Sequence, residues 1–387
     1  MNQNYNCMPF FVENIGAMDQ FFDGQSSAAE KRGLPVQWCY ATPAHALATL
    51  RLPAITNMRV SHDFFYGGSY DVGQSSLLTW AVNIKPSKDT FWTSANIGSP
   101  ENASAILGVI NGACSGDSCP PDHGDEGAML HTILALLTTG PVGFSDAVNK
   151  TNAQLLLSTC TADGTLLKPS KPATTIDAAL SSHLTARPQG GYILGSYAGP
   201  PVNLTSSELP SAWSHTMVSH QLSASWSVTP SNFWPPLTSG TYFVGRWESG
   251  GSWHCEEGDA IASCVTECRV ERGADAAMFE LPAAPTPAKS PASFLPTLVT
   301  VVGECAIGKV ALLGELSKFV TLSPQRFSDV SCTASTAGKA TVVEYTLSGA
   351  AGEAVPVTLL NVGKGTVLVR TSTLPASGRL VVRVEVL

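Results

Sequence analysis

The chain has 387 residues, enough for two or three domains, because a single core rarely grows past about 250 to 300 residues. Hydrophobic residues make up 44% and charged residues only 13%, about half the charged share of an average domain, so Ser, Thr, Asn and Gly supply much of the polar surface. The formal charge of −8 with no Lys/Arg run excludes a phosphate-backbone partner, which needs clustered cations, and no nucleic acid is expected.

In chain order, Phe11, Val12, Ile15, Met18, Phe21 and Phe22 recur at three- and four-residue steps and predict a helix from Phe10 to Gly33. Val36 to Ala41 reads as a buried strand, Pro43 to Leu50 as a helix opened by proline, and Ile55 to Val60 as the next strand. The alternation continues through a helix at Ser75–Asn83, a strand at Thr90–Thr93, an apolar helix at Glu126–Thr138, a strand at Pro141–Phe144 and a helix at Asn152–Cys160. Repeated βα units imply a parallel sheet, either doubly wound or closed into a barrel. No G-x-G-x-x-G or P-loop follows any of these strands, which removes the main reason to prefer the nucleotide-binding sheet. The expected fold class is therefore α/β plus all-β: the later βα units of a partial (β/α)8 barrel, with Ser94–Asp125 as a long insertion on its active-site face.

Past about Leu180 the texture changes. Gln189–Tyr197 and Gly240–Trp247 read as strands punctuated by Gly and Ser. Leu281–Pro296, with five prolines, reads as a linker or extended surface segment. Lys339–Leu347, Val355–Leu360, Thr366–Arg370 and Arg379–Leu387 read as sandwich strands. The expected division is 1–185 for the barrel portion, 186–290 for a β-rich accessory domain and 291–387 for a C-terminal sandwich-like domain. Four βα units would leave half a barrel with an open edge, so an upstream barrel half is expected as a partner.

Ten cysteines are present, and Cys114 with Cys119, Cys255 with Cys264 and Cys268, and Cys305 with Cys332 sit close enough in sequence to suggest disulfides. His254, Cys255, Cys264 and Cys268 offer zinc-type ligands, but their spacings match no C-x2-C pattern, and no metal or cofactor is expected. Asn-x-Ser/Thr sequons at Asn102, Asn149 and Asn203 agree with a secretory route. The amino terminus shows neither a basic n-region nor an apolar h-region. Apolar runs such as Leu295–Gly303 fall short of the roughly 20 residues a bilayer span takes, so no membrane partner is expected.

The stretch Arg59-Val-Ser-His-Asp63 follows a predicted strand, where barrel enzymes place catalytic groups. A carboxylic acid there can protonate a leaving oxygen, and a nearby arginine can bind hydroxyls or steady the anion; an ordinary loop ion pair is the alternative reading. Trp92 ends a predicted strand and could stack on a sugar face, whereas Trp80 and the later tryptophans 213, 226, 234, 247 and 253 read first as core. His131, on the apolar helix, reads as a structural histidine. The absence of a G-x-S-x-G elbow leaves an esterase without support.

Arg59-x-Ser-x-Asp63, Lys88-Asp-Thr-Phe-Trp92, Gly140-Pro-Val-Gly-Phe-Ser-Asp146, Leu155-Leu through Asp163-Gly, and Lys171-Pro-Ala-Thr-Thr-Ile-Asp177 follow one another in an order and spacing that resemble the α-galactosidase and raffinose-synthase type of glycosidase. The likeness covers roughly Lys31 to Leu180. It implies a (β/α)8 barrel acting by double displacement on α-linked sugars, with Asp63 as acid/base and Arg59, Asp89, Trp92 and Asp146 against a carbohydrate substrate. His62 stands where such enzymes often have a second Asp. Asn4-Tyr-Asn6 stands where the nucleophile's motif would fall, and an amide cannot perform the retaining step, which uses two carboxyl groups about 5 to 5.5 Å apart. Asp19 and Asp23 fall inside the first helix and read as solvated charges. Two functions follow as expectations: a retaining glycosidase or transglycosidase whose nucleophile is absent or supplied from elsewhere, or a non-catalytic carbohydrate-binding or structural relative of one.

Overall fold

The computed structural model describes residues 16–39, 42–61, 72–93, 127–146, 148–185, 192–200, 213–220, 222–247, 253–284, 296–305, 307, 309–335 and 340–387. It opens with helix α1 (Ala17–Glu30), which buries Ala17, Phe22 and Ser26. Strands β1 (Val36–Trp38), β2 (Ile55–Arg59) and β3 (Lys85–Ser87) form a parallel sheet in that order. The connections carry helices α2 (Pro43–Ala48) and α3 (Val72–Ala81). A capping box between Thr42 and His45, with proline in the first turn, starts α2 and satisfies backbone donors that the first turn leaves open. A small core of Phe22, Trp38, Ala46, Leu52, Ile55, Met58 and Ile84 fills the space between these helices and the sheet.

The parallel pattern stops there, and the expected partial (β/α)8 barrel does not form. Thr90–Thr93 contributes a single parallel bridge, Phe91 to Phe144, in place of a strand. The next strand, β4 (Lys171–Thr175), leaves the parallel sheet altogether and pairs antiparallel with β5 (Tyr192–Ala198). Buried apolar runs mark a strand but carry neither its direction nor its partner, so a run of alternating strands and helices did not by itself fix a barrel. The doubly wound layout is absent from the described residues for the same reason. The upstream barrel half rested on that barrel and loses its ground with it.

Antiparallel sheet dominates the rest. The largest sheet has six strands in the order β4-β5-β6-β11-β8-β9, with β6 (Ser214–His220), β8 (Gly240–Arg246), β9 (Thr266–Val270) and β11 (Thr297–Gly303). It takes strands from all three sequence segments. A two-stranded ribbon pairs β7 (Trp226–Val228) with β10 (Phe279–Leu281). Two three-stranded sheets, β12-β15-β16 and β13-β14-β17, close the chain with β12 (Val310–Gly314), β13 (Phe327–Ala334), β14 (Thr341–Ser348), β15 (Ala354–Asn361), β16 (Thr366–Thr373) and β17 (Arg379–Val386). Leu312, Tyr345, Leu347, Val357 and Leu359 from these two sheets share one core, as expected of the β-rich tail. Most of the expected linker, residues 285–295, lies outside the described residues.

Two devices join the halves. Helix α4 (Ala128–Leu137) is buried from Leu130 to Leu137, a helix apolar all round and therefore interior, and its leucines belong to the same core as the C-terminal sheets. Gly73 of α3 lies so close to Thr175 and Leu194 that a Cβ would stand 2.4 Å from each side chain, so α3 packs directly on the edge of the six-stranded sheet. Among the described residues no helix is long and apolar enough to cross a membrane.

Disulfides join Cys255 to Cys264 and Cys305 to Cys332, with Cα separations of 5.3 and 6.2 Å. The first consumes two of the four zinc-type ligands, and Cys268 remains a buried thiol pointing at the Met278 carbonyl. Cys114 and Cys119 lie outside the described residues. These bonds are consistent with an oxidising environment.

Candidate functional site

The C-terminal ends of the three parallel strands come together at one rim, the place where α/β sheets ordinarily bind ligands. Arg59 is the last residue of β2 and is buried at 8% exposure. Its guanidinium holds several partners: Nε donates to the Ser61 carbonyl at 2.9 Å, Nη1 to the Cys39 sulfur at 3.3 Å, and Nη2 lies 3.4 Å from Oδ2 of Asp89. Cys39 directly follows β1, and Asp89 lies two residues past β3, so one side chain ties all three strand ends together. The Asp89 amide donates to Ser61 Oγ at 2.8 Å, which closes the ring. Its Oδ1 has no hydrogen-bond partner among the described residues, and its side chain keeps 23% exposure.

The second half of the rim comes from 53 residues further on. The Phe91–Phe144 bridge and the Ser145 amide bonded to the Phe91 carbonyl at 2.8 Å lay the two segments side by side. Gly140 makes this approach possible: a Cβ there would meet the Pro86 carbonyl oxygen at 2.2 Å, so only glycine fits against β3. Trp92 then donates its indole N–H to the Ser145 carbonyl at 3.0 Å. Asp146 accepts from the Thr93 amide at 2.8 Å and from the Thr93 hydroxyl at 2.7 Å. The same hydroxyl accepts from the Asn152 amide at 2.8 Å, and Asn152 in turn caps helix α5 (Ala153–Leu157) through Leu155.

Behind the rim sit Lys88, His131 and Phe91, all buried. Lys88 Nζ lies 5.4 Å from the centre of the Phe91 ring, and the His131 ring stacks with that same ring at 6.3 Å between centroids. Burial, reinforced by Lys88 and His220, holds His131 well below the usual histidine range, so it is a neutral, structural ring at neutral pH. Lys88 also donates to the Asp89 carbonyl at 3.2 Å.

Of the residues singled out in the sequence, Arg59 therefore pairs with Asp89, and Asp146 is bound to Thr93, the neighbour of Trp92. Asp63 and His62 lie outside the described residues, as do Asn4 to Asn6. Asp19 and Asp23 are exposed and both pair with Arg51, at 2.7 and 3.1 Å. Ser61, Thr93 and Cys39 went unrecognised in the sequence; their roles depend on contacts between segments, for which a single chain carries no local signal. The later tryptophans mostly fill core: Trp213, Trp247 and Trp253 are buried, and Trp253 donates to the Cys264 carbonyl. Trp80 and the part-exposed Trp234 meet edge to face at 5.3 Å with the Lys171 ammonium 5.2 and 5.5 Å from their rings.

The rim presents hydrogen-bonding and aromatic groups. Asp89 offers a carboxylate oxygen held beside the Arg59 guanidinium, and Trp92 a half-buried ring. It does not hold a displacement pair among the described residues, because Asp146 is occupied at both oxygens and Asp89 is tied to arginine. Two open clefts, about 310 Å³ beside Leu34 and Pro53 and about 480 Å³ beside Leu157 and Lys318, include none of the four rim residues. Compared with protein-family models and with curated proteins, the chain finds a match in neither.

Proposed function

We propose that this chain binds an α-linked carbohydrate at the rim where β1, β2 and β3 end, and that it is exported. The observation that carries the reading is the Arg59–Asp89 pair, whose second carboxylate oxygen has no hydrogen-bond partner among the described residues, with Trp92 three residues further along the same segment. A carboxylate hydrogen-bonds sugar hydroxyls, and an aromatic ring packs on the apolar face of a pyranose. The ordered likeness of five short motifs to α-galactosidases supports a galactosyl-type ligand. The two disulfides and three sequons support export.

Binding without turnover is the form of the proposal the rim supports best, since its two carboxylates are both engaged by donors. Hydrolysis is the second reading and rests on Asp63, two residues along the chain from Ser61, acting as acid/base with a nucleophile from outside the described residues. Calorimetric titration with methyl α-galactoside, paired with an aryl α-galactoside assay, separates the two. Binding with no release of the aryl group supports the first reading. Release that disappears in Asp63→Asn supports the second, and neither heat nor release removes both.

A further inference from the structure

The sequons at Asn102 and Asn203 lie outside the described residues, whereas Asn149-Lys-Thr151 lies within them. Asn149 sits in an exposed turn between Asp146 and α5, beside Val148 at 88% exposure. Its backbone takes φ of 64°, a left-handed conformation that asparagine adopts more readily than most residues. Its side-chain amide makes no hydrogen bond among the described residues, and Thr151 is equally exposed. The Cys255–Cys264 and Cys305–Cys332 bonds are consistent with a fold made where thiols are oxidised, which in cells with a secretory pathway is also where oligosaccharide meets this tripeptide.

We propose that Asn149 carries an N-linked glycan. The donor is an oligosaccharide linked through pyrophosphate to a lipid. The carboxamide nitrogen forms a bond to the anomeric carbon, the bond from that carbon to the pyrophosphate oxygen breaks with its electron pair leaving on the pyrophosphate, and the amide gives one proton to a base of the transferring enzyme. Nothing is oxidised or reduced. Asn149 follows Asp146 by three positions, so the glycan stands at the rim's edge and holds that edge in water, where a second protein surface could not cover it. This assignment does not depend on the sugar-binding reading; it depends on passage through an oxidising secretory route.

The test is secretion of the full chain from a eukaryotic cell behind an added export signal, followed by chymotryptic mapping with and without peptide-N-glycosidase. The expected result is a peptide spanning Asn149 that appears only after the glycosidase, with Asn149 converted to Asp. Thr151→Ala should yield the bare peptide without enzyme, while Thr151→Ser should stay modified. Because Thr151→Ala leaves the turn asparagine in place, loss of folding does not confuse the result. A secreted chain with both disulfides formed and Asn149 bare overturns the assignment.

Discussion

The guanidinium of Arg59 lies 3.4 Å from the carboxylate of Asp89, and the pair joins two strand ends that are 30 residues apart in sequence. Removing Asp89 takes away a carboxylate 3.4 Å from a buried cation, which costs more than the pair contributes. Asp89→Ala should lower unfolding stability by about 2 to 3 kcal/mol, less than for a wholly buried pair because Asp89 is part exposed. The double change Arg59→Met with Asp89→Ala should recover part of that loss in a urea titration.

The Thr93–Asp146 clamp fixes the far half of the rim. Asp146→Ala should cost about 1 to 3 kcal/mol by leaving the Thr93 donors unpaired. The local readout is faster hydrogen exchange at the Thr93 and Ser145 amides, with exchange in β14 and β17 unchanged.

Lys171 is buried against Trp80 and Trp234, and burial pushes its pKa down to about 8. In the unfolded chain it titrates near 10.4. Between these values the unfolded state binds more protons than the folded one, so this residue makes stability rise with pH across that window. The penalty for the buried charge is present in full below pH 8. Tyr197 titrates in the opposite sense because burial raises it, so the comparison that isolates Lys171 is with Lys171→Met. The difference in stability between the two proteins should shift in favour of the wild type by about 3 kcal/mol from pH 8 to pH 10.5.

Arg326, at 1% side-chain exposure, bonds to Glu315 at 2.9 Å and Glu353 at 2.6 Å, and Glu353 also accepts from the Ala162 amide. Lys318 beside it donates to the carbonyls of Leu157 and Cys160. The network thus pins the segment after α5 to the C-terminal sheets. Arg326→Ala should cost about 3 to 5 kcal/mol by stranding two carboxylates in the interior, seen as a lowered melting temperature. Replacing Arg326, Glu315 and Glu353 together by apolar residues should cost much less.

Reduction should act through loop length. Cys305–Cys332 closes a 27-residue separation and Cys255–Cys264 one of 9, so loss of the first should cost about 3.5 kcal/mol and of the second about 2.5. Denaturation of Cys305→Ser/Cys332→Ser and Cys255→Ser/Cys264→Ser proteins checks the order.

The sequence carried β14 to β17 nearly to their bounds, because Thr341–Ser348 and Ala354–Asn361 alternate or run apolar between turn residues, but it did not carry β12 or β13. It also carried β1, β2 and the helices between β1 and β3. It did not carry the barrel. Lys171–Thr175 is buried throughout, which fits a parallel stave and an antiparallel sheet strand equally well. Lys85–Ser87, with its lysine and proline, was passed over for the more aromatic Thr90–Thr93, although the former is the strand. Gly140 explains part of this: the backbone contact with Pro86 that it permits is invisible until the two segments are side by side.

The most direct test follows the indole N–H of Trp92. Eight tryptophans give eight indole resonances, and Trp92→Phe identifies the one hydrogen-bonded to the Ser145 carbonyl. On titration with methyl α-galactoside that resonance should shift and saturate, and Asp89→Asn should weaken the response. If all eight stay fixed while ligand reaches concentrations well above those of ordinary sugar sites, the rim does not bind carbohydrate.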